Sequence, residues 1–437
     1  MNLPQILSLI LLVVILVLAV WRHVNIGLLG FSAAAIMVMA TTAIAVGSDT
    51  NTVLSSKDVL SHFPGAIVTL LIGVSLLFAH LEKSGGLSWF TDQIYAKMGH
   101  RTNIVPWIGY FIGFAISTAG AFSTASITLL VPVIAALGRK HPRLFFICEM
   151  AAIIGANTGA LSPINPTGQV ILDAAKKAHV EYSPWLVWFL GMLISFVLVI
   201  ALQIVFQDKR VVETIDSKAP EKGFVLLKPI KQENGDNHQL QPFYAICSTI
   251  AVLIFLILVI FAKANVGLTA LTLAVIMMLF FTQQSKDFVK KIPWNAVVVI
   301  SGLLVFIGTM MQVDTMKAVE QGLLSMTSSK IALLFMLAYL TTFLSNVESS
   351  TLGVISLMIP MVFTIFGDSP QISLILTACA APAMLSVVNP IHIAGTLVVS
   401  VTEEKQQEMM FKRLLIIAFA TVPFFPGLAM IVPALMM

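Results

Sequence analysis

From Pro184 to Phe206 the chain carries no charged side chain, and about 20 apolar residues suffice to cross a bilayer as a helix. Comparable tracts recur near 4–21, 25–46, 65–83, 143–172, 243–262, 266–282, 294–311, 371–401 and 413–435. Hydrophobic residues make up 58% of the 437 and charged residues 11%, against about 25% charge in a soluble domain. The mean hydropathy is +0.96. The expected fold is an all-α polytopic membrane protein with about ten transmembrane helices. The first tract lacks a preceding Lys or Arg, so a spanning segment is expected there rather than a cleaved signal peptide.

The pI of 8.9 reflects loop charge. No basic run alternates with aromatics, so no nucleic-acid partner is expected. Cys148, Cys247 and Cys379 fall in apolar tracts without disulfide or metal spacing, and read as small buried hydrophobes.

The chain repeats itself. Val24-Asn25-Ile26-Gly27-Leu28 returns as Ala264-Asn265-Val266-Gly267-Leu268, an offset of 240. Asp58, Pro64 and Gly73 return as Asp287, Pro293 and Gly302, an offset of 229. Leu161-Ser162-Pro163-Ile164-Asn165-Pro166 is echoed by Leu385-Ser386-Val387-Val388-Asn389-Pro390, an offset of 224. The order is kept, as duplication requires. The segment 103–138, interrupted at Ser117–Ser126, reads as a re-entrant helical hairpin, and 330–366 as its counterpart. Five crossings per half is an odd number, so the halves (1–206 and 243–437) are expected to be inverted repeats. A polar linker, 207–242, joins them, and 84–100 reads as an amphipathic interfacial helix. With these spans, nineteen of the 25 Lys and Arg fall on one side. The positive-inside rule makes that side cytoplasmic and puts both termini outside.

Asn-Pro inside an apolar tract points to a site. Proline breaks a helix, and lipid tolerates a break only where it faces protein or a wet cavity. Matched breaks in two halves are the best sequence pointer to a transporter's binding site. Asn is a favoured N-cap and Pro a favoured first helical residue, so Asn165-Pro166 and Asn389-Pro390 are each expected to restart a helix. Their free N–H groups and positive dipole ends suit an anion. A packing kink is the plainer alternative. Ser162, Thr167 and His392 flank the breaks. The hairpin tips add Ser123, Thr124 and Ser126 in the first half, and Ser345, Asn346, Ser349, Ser350 and Thr351 in the second. Small residues at a tip can also serve helix packing.

For a cation, the candidates are Ser123, Asn157, Thr158, Asn346, Glu348 and Ser386. Glu348 reads as a proton carrier, a Na⁺ ligand or a water-exposed turn carboxylate. Glu149 is expected to anchor at the cytoplasmic boundary, and His80 to be a satisfied packing histidine. No Lys or Arg falls at membrane depth, so helix N-termini, hydroxyls and amides are expected to hold the anion.

Asn25-Ile26-Gly27, Phe63-Pro64, Val105-Pro106-Trp107 and Ser162-Pro163-Ile164 resemble the MatC-like dicarboxylate carriers. These belong to the ion transporter superfamily, alongside the divalent-anion/sodium symporters. The resemblance implies a scaffold domain (1–83 and 243–311) and a mobile transport domain (103–206 and 330–437). It further implies a homodimer, an elevator motion and a malonate or C4-dicarboxylate substrate. The symporters carry Ser-Asn-Thr at both tips. Here Ser123-Thr124-Ala125-Ser126 has no Asn, and Val347-Glu348 follow Ser345-Asn346, which leaves Na⁺ and H⁺ both open as the coupling ion.

The expected activity is secondary transport of a small carboxylate across a bacterial inner membrane, with no cofactor and no metal beyond a possible Na⁺. A cation/proton antiporter or oxyanion exporter on the same fold is the alternative. A passive channel suits two broken helices less well. An intramembrane enzyme would want a His-Glu-x-x-His helix or paired Asp-rich motifs, and the sequence has neither.

Overall fold

The computed structural model describes residues 2–22, 24–47, 53–86, 104–140, 142–206, 241–327, 329–347, 351–385, 388–390, 392–402 and 404–436. No β-strand occurs among them. The first half runs α1 (Leu3–Arg22), α2 (Ile26–Gly47), the short α3 (Ser56–Ser61) and α4 (Gly65–Lys83). It continues through α5 (Val105–Thr118), α6 (Ser123–Lys140), α7 (Pro142–Gly159), α8 (Pro166–Lys177) and α9 (Pro184–Phe206). The second half repeats the order with α10 (Pro242–Ile260), α11 (Val266–Phe280), a 3₁₀ turn (Phe288–Lys291), α12 (Trp294–Gln312) and α13 (Thr315–Met326). The hairpin α14 (Lys330–Val347) and α15 (Thr351–Phe366) follows, then α16 (Ile372–Leu385), α17 (Ile393–Val401) and α18 (Glu404–Met436).

Six stretches among the described residues are long and apolar enough to cross a membrane: Ile26–Ile44, Ser56–Lys83, Pro184–Ile204, Pro242–Ile260, Trp294–Gln312 and Gln407–Met436. Most of the shorter apolar helices are hairpin arms or halves of broken helices. The last helix begins at Glu404, ahead of the apolar tract at 413–435, because a polar first turn extends it. The expected amphipathic helix lies outside the described residues beyond Gly86, and the expected linker lies outside them up to 240.

The repeated residues have repeated jobs. Asn25 accepts hydrogen bonds from the N–H groups of Gly27 and Leu28 at 2.9 and 3.3 Å at the head of α2. Asn265 accepts one from Leu268 at 3.0 Å at the head of α11. Pro64 and Pro293 are the N-caps of α4 and α12. Asp58 and Ser55 form a capping box on α3.

The glycines mark where the halves cross. Gly27 of α2 lies against the backbone of Val298 and Val299 in α12, and Gly302 of α12 lies against Gly27 itself. In the mirror contact, Gly73 of α4 faces α11, where a Cβ on it would sit 2.6 Å from Gly267 O. Neither helix pair has room for a side chain at its crossing, the close approach small residues permit in membrane helices. Each half's second helix therefore packs on the other half's fourth-position helix, the reciprocity a pseudo-two-fold repeat requires. A further apolar core joins α5, α6 and α7 to Val388, to Ala394 and Val398 of α17, and to Met410, Leu414 and Ala418 of α18. The second break is thus packed beside the first hairpin.

Candidate substrate site at the hairpin tips and helix breaks

A helix leaves its last four carbonyls without internal partners. At the first hairpin the tip's own N–H groups take three of them, Ala119 to Ala115 O, Ala121 to Ile116 O and Gly120 to Ser117 O. In both hairpins the break of the same half adds side-chain donors to two of the last carbonyls. At the first tip the backbone turns through Gly120, whose φ of +116° favours glycine. Asn165 is N-cap of α8: its Oδ1 accepts from Thr167 N–H at 3.0 Å, and its Nδ2 donates to Ser117 O and Ala121 O, both at 2.8 Å. Ser162 Oγ donates to Thr118 O at 3.0 Å and accepts from Ile164 N–H at 3.2 Å. Ser117 Oγ donates to Ser126 Oγ at 3.1 Å. Ser117, Ser126, Ser162, Asn165 and Thr167 are all buried. The first break is a clamp on the first tip.

The second break uses different chemistry for the same contacts. His392 Nε2 lies 2.8 Å from Ser345 O, and Asn389 Nδ2 donates to Asn346 O at 2.7 Å. Ser345 Oγ donates to Ala383 O at 2.8 Å, near the end of α16, and lies 3.4 Å from Thr351 Oγ1. These contacts correct the expected restart at Asn389-Pro390. The helix resumes at Ile393 with His392 in the N-cap position, after a turn closed by His392 N–H to Asn389 O at 3.0 Å, the counterpart of Asn165 N–H to Ser162 O in the first break. The corresponding residues are Ser162 with Asn389 and Asn165 with His392, an offset of 227 rather than 224. Two glycines fix the same register: a Cβ on Gly168 would collide with Ser162 O, and one on Gly395 with Asn389 O.

The expected anion site at the head of α8 is also revised. Pro166, Thr167 and Gly168 are buried, and both donors of Asn165 are engaged by the tip. The helix start that meets open space is that of α6. Thr124, Ala125, Ser126 and Thr128 line a cavity of about 260 Å³ with Ala121, Phe122 and Ile116, opposite Val74, Ser75, Phe78, Ala79 and Glu82 of α4. Ser123, next to it, is buried. Lys291 and Pro293 complete the wall, and Lys291 Nζ is 3.1 Å from Glu82 Oε1. Sequence reading missed Lys291, whose only visible signal was membership of a basic loop cluster.

Of the cation candidates, Thr158 Oγ1 donates back to Ile154 O at 2.7 Å. Asn157 Nδ2 is buried without a partner, as is Asn346 Oδ1, while Asn346 Nδ2 donates to Thr342 O at 3.0 Å. Glu348, Ser349, Ser350 and Ser386 lie outside the described residues. Glu149 does not reach the surface as boundary anchoring would require. It is 0% exposed in the middle of α7, and neither carboxyl oxygen has a partner. His80 bonds Tyr244 OH through Nδ1 at 2.7 Å and meets Phe288 edge-on, but its Nε2 is without a partner. Cys148 and Cys379 are buried and Cys247 partly so; all three are free.

The profile of the citrate transporter family, CitMHS, matches residues 14–381. The family match identifies this multi-pass helical protein as a membrane transporter. The chain belongs to that family, within the ion transporter superfamily its residues resemble. Among solved structures, it is similar to the Alcanivorax borkumensis YdaH transporter, described as having an unusual topology. The TM-score is 0.55 at 12% identity, over 98% of this chain and 97% of that one. Such a likeness concerns the fold alone. No curated protein matches the chain.

Proposed function

We propose that the protein is a secondary transporter of small, multiply charged carboxylates, of the citrate, malonate and C4-dicarboxylate class, driven by an inward proton gradient. The observation that carries this reading is the start of α6 opening, with Lys291, onto the 260 Å³ cavity. Free N–H groups and a positive dipole end favour a carboxylate there. The volume lies just below the range of about 300–1,000 Å³ for drug-sized ligands, which suits a small metabolite. The family membership supports the substrate class.

In this reading α1–α4 and α10–α12 are the scaffold, and the hairpins with their breaks are the transport domain. The hydrogen bonds of Asn165, Ser162, Asn389 and His392 lock each tip to its break, so that tip and break move as one body in an elevator stroke. Asn165 and His392 are then positioning residues. Ser123, Thr124 and Ser126, at the start of α6, are the substrate contacts. The working unit is a homodimer in the bacterial inner membrane, with both termini outside.

Glu149 is the residue we assign to the coupling proton. An ionised carboxylate buried without a partner costs several kcal/mol or more, so a proton bound there is retained until the site reaches water. A second reading, Na⁺ coupling, is favoured by the unpartnered Asn346 Oδ1 beside the second tip. Purified protein in liposomes should accumulate labelled citrate, malonate or succinate when the lumen is alkaline, and a protonophore should stop it. Accumulation driven by Na⁺ alone selects the second reading. Failure to move any carboxylate under either gradient would sink both. Glu149→Gln should keep carboxylate exchange across the membrane while losing gradient-driven accumulation.

A further inference from the structure

The short 3₁₀ turn before α12 is tied to the end of α4 by the Lys291–Glu82 ion pair, N to O 3.1 Å. The duplicated fold supplies its own control for what that tie is for. Lys291 stands two residues before the N-cap Pro293, as His62 stands two before the N-cap Pro64. Glu82 lies in the last turn of α4, and Gln312 ends α12. At the far end of the scaffold a corresponding tie runs from His62 Nε2 to Gln312 Oε1, at 3.4 Å, one residue beyond the position (Met311) that the offset of 229 gives for Glu82. A contact through a His–Gln pair therefore joins these elements where no charge pair links them among the described residues. The charged version occurs at the end that opens on the 260 Å³ cavity, and both of its members line that cavity.

The energetics favour exchange. Side-chain exposures of 50% for Lys291 and 36% for Glu82 leave the pair solvated, and such ion pairs contribute little net stability. Lysine is a point charge on a flexible stem with three donors, so it can turn to a new carboxylate without moving backbone. A free carboxylate in the cavity competes with Glu82 for the same ammonium. Across the cavity stand Thr124, Ala125 and Thr128 of α6, ready to take the other end of a two-ended anion.

We propose that Lys291 is the scaffold's docking group for a substrate carboxylate, with Glu82 as the counter-ion that holds it until an anionic substrate displaces it. Glu82 keeps the empty cavity neutral and competes with the substrate, so the two residues act with opposite signs. The inference rests on the carboxylate-transport reading above.

The test is uptake of labelled citrate and succinate by proteoliposomes holding full-length variants that elute as single species on size exclusion. Lys291→Gln should raise KM about ten-fold or more, as expected for loss of a charge-assisted hydrogen bond, with maximal rate nearly unchanged. It should also flatten the rise of KM with ionic strength. Lys291→Arg should restore much of the loss. Glu82→Gln should lower KM. The double variant Glu82→Gln/Lys291→His, which installs the far end's pair, should fold and behave like Lys291→Gln. If both single variants instead raise KM and the double variant recovers wild-type uptake, the pair is a structural tie and the proposal is wrong. A loss of maximal rate at unchanged KM would overturn it equally. Absence of uptake by the wild-type protein would defeat the transport reading itself, a different failure.

Discussion

The two helix breaks hold the same two carbonyls of their hairpins by different means. At the first, Asn165 and Ser162 take Ser117 O and Thr118 O; at the second, His392 and Asn389 take Ser345 O and Asn346 O. Asn165 also bonds Ala121 O and caps α8, whereas His392 caps α17 by position with no side-chain bond to it. Duplication preserved the requirement, a capped hairpin end, and let the side chains that meet it diverge. One side chain, Asn165, thus serves both a hairpin end and a helix start.

The largest expected effect follows from that asymmetry. Asn165→Ala strands Ala121 O and the Thr167 N–H in a buried site and takes one of two donors from Ser117 O, which keeps Gly120 N–H at 3.0 Å. At about 1–3 kcal/mol for each stranded group, partly relaxed, it should cost roughly 3–5 kcal/mol. His392→Ala, losing its bond to Ser345 O, should cost about 1–3 kcal/mol. Thermal unfolding in detergent compares the two, and equal losses would dissolve the asymmetry. Next in size, Gly168→Ala and Gly395→Ala each push a Cβ into a carbonyl of the preceding break and should cost similar amounts, about 1–3 kcal/mol. A harmless Gly395→Ala would show that the offset of 227 is the wrong register. The smallest effect belongs to the exchange Asn389→Ser with His392→Asn, which writes the first break's chemistry into the second. It should shift stability by no more than about 1 kcal/mol. Should Asn389→Ser alone prove as damaging as Asn165→Ala, the register of the Leu-Ser-x-x-Asn-Pro echo would be restored.

Local signals were legible in the sequence. The apolar tracts, the two hairpins and the N-cap role of Asn165 each depend on residues within a turn or two of one another. The second break was misread for an instructive reason. Asn389-Pro390 has the same local signal as Asn165-Pro166, but the turn that ends at Asn165 in the first break ends at His392 in the second, and no spacing rule shows that shift. Lys291 was hidden in the same way. In sequence it is one of a cluster with Lys286 and Lys290, and only the packing of the 3₁₀ turn on α4 brings it over the cavity. Glu149 was read by its distance from the end of a tract. It is fully buried, which a count along one helix does not see.

The glycine crossings carry a consequence for how the chain is made. Gly27 meets a partner, Gly302, that is 275 residues further along. At a synthesis rate of about 5–20 residues per second, α2 sits in the membrane for roughly 15–55 s before that surface exists. In the interval its glycine face is bare to lipid, chaperone or a neighbouring chain. Each half packs a helix on the other. The arrangement is that of two subunits exchanging an arm, made permanent by joining them in a single chain.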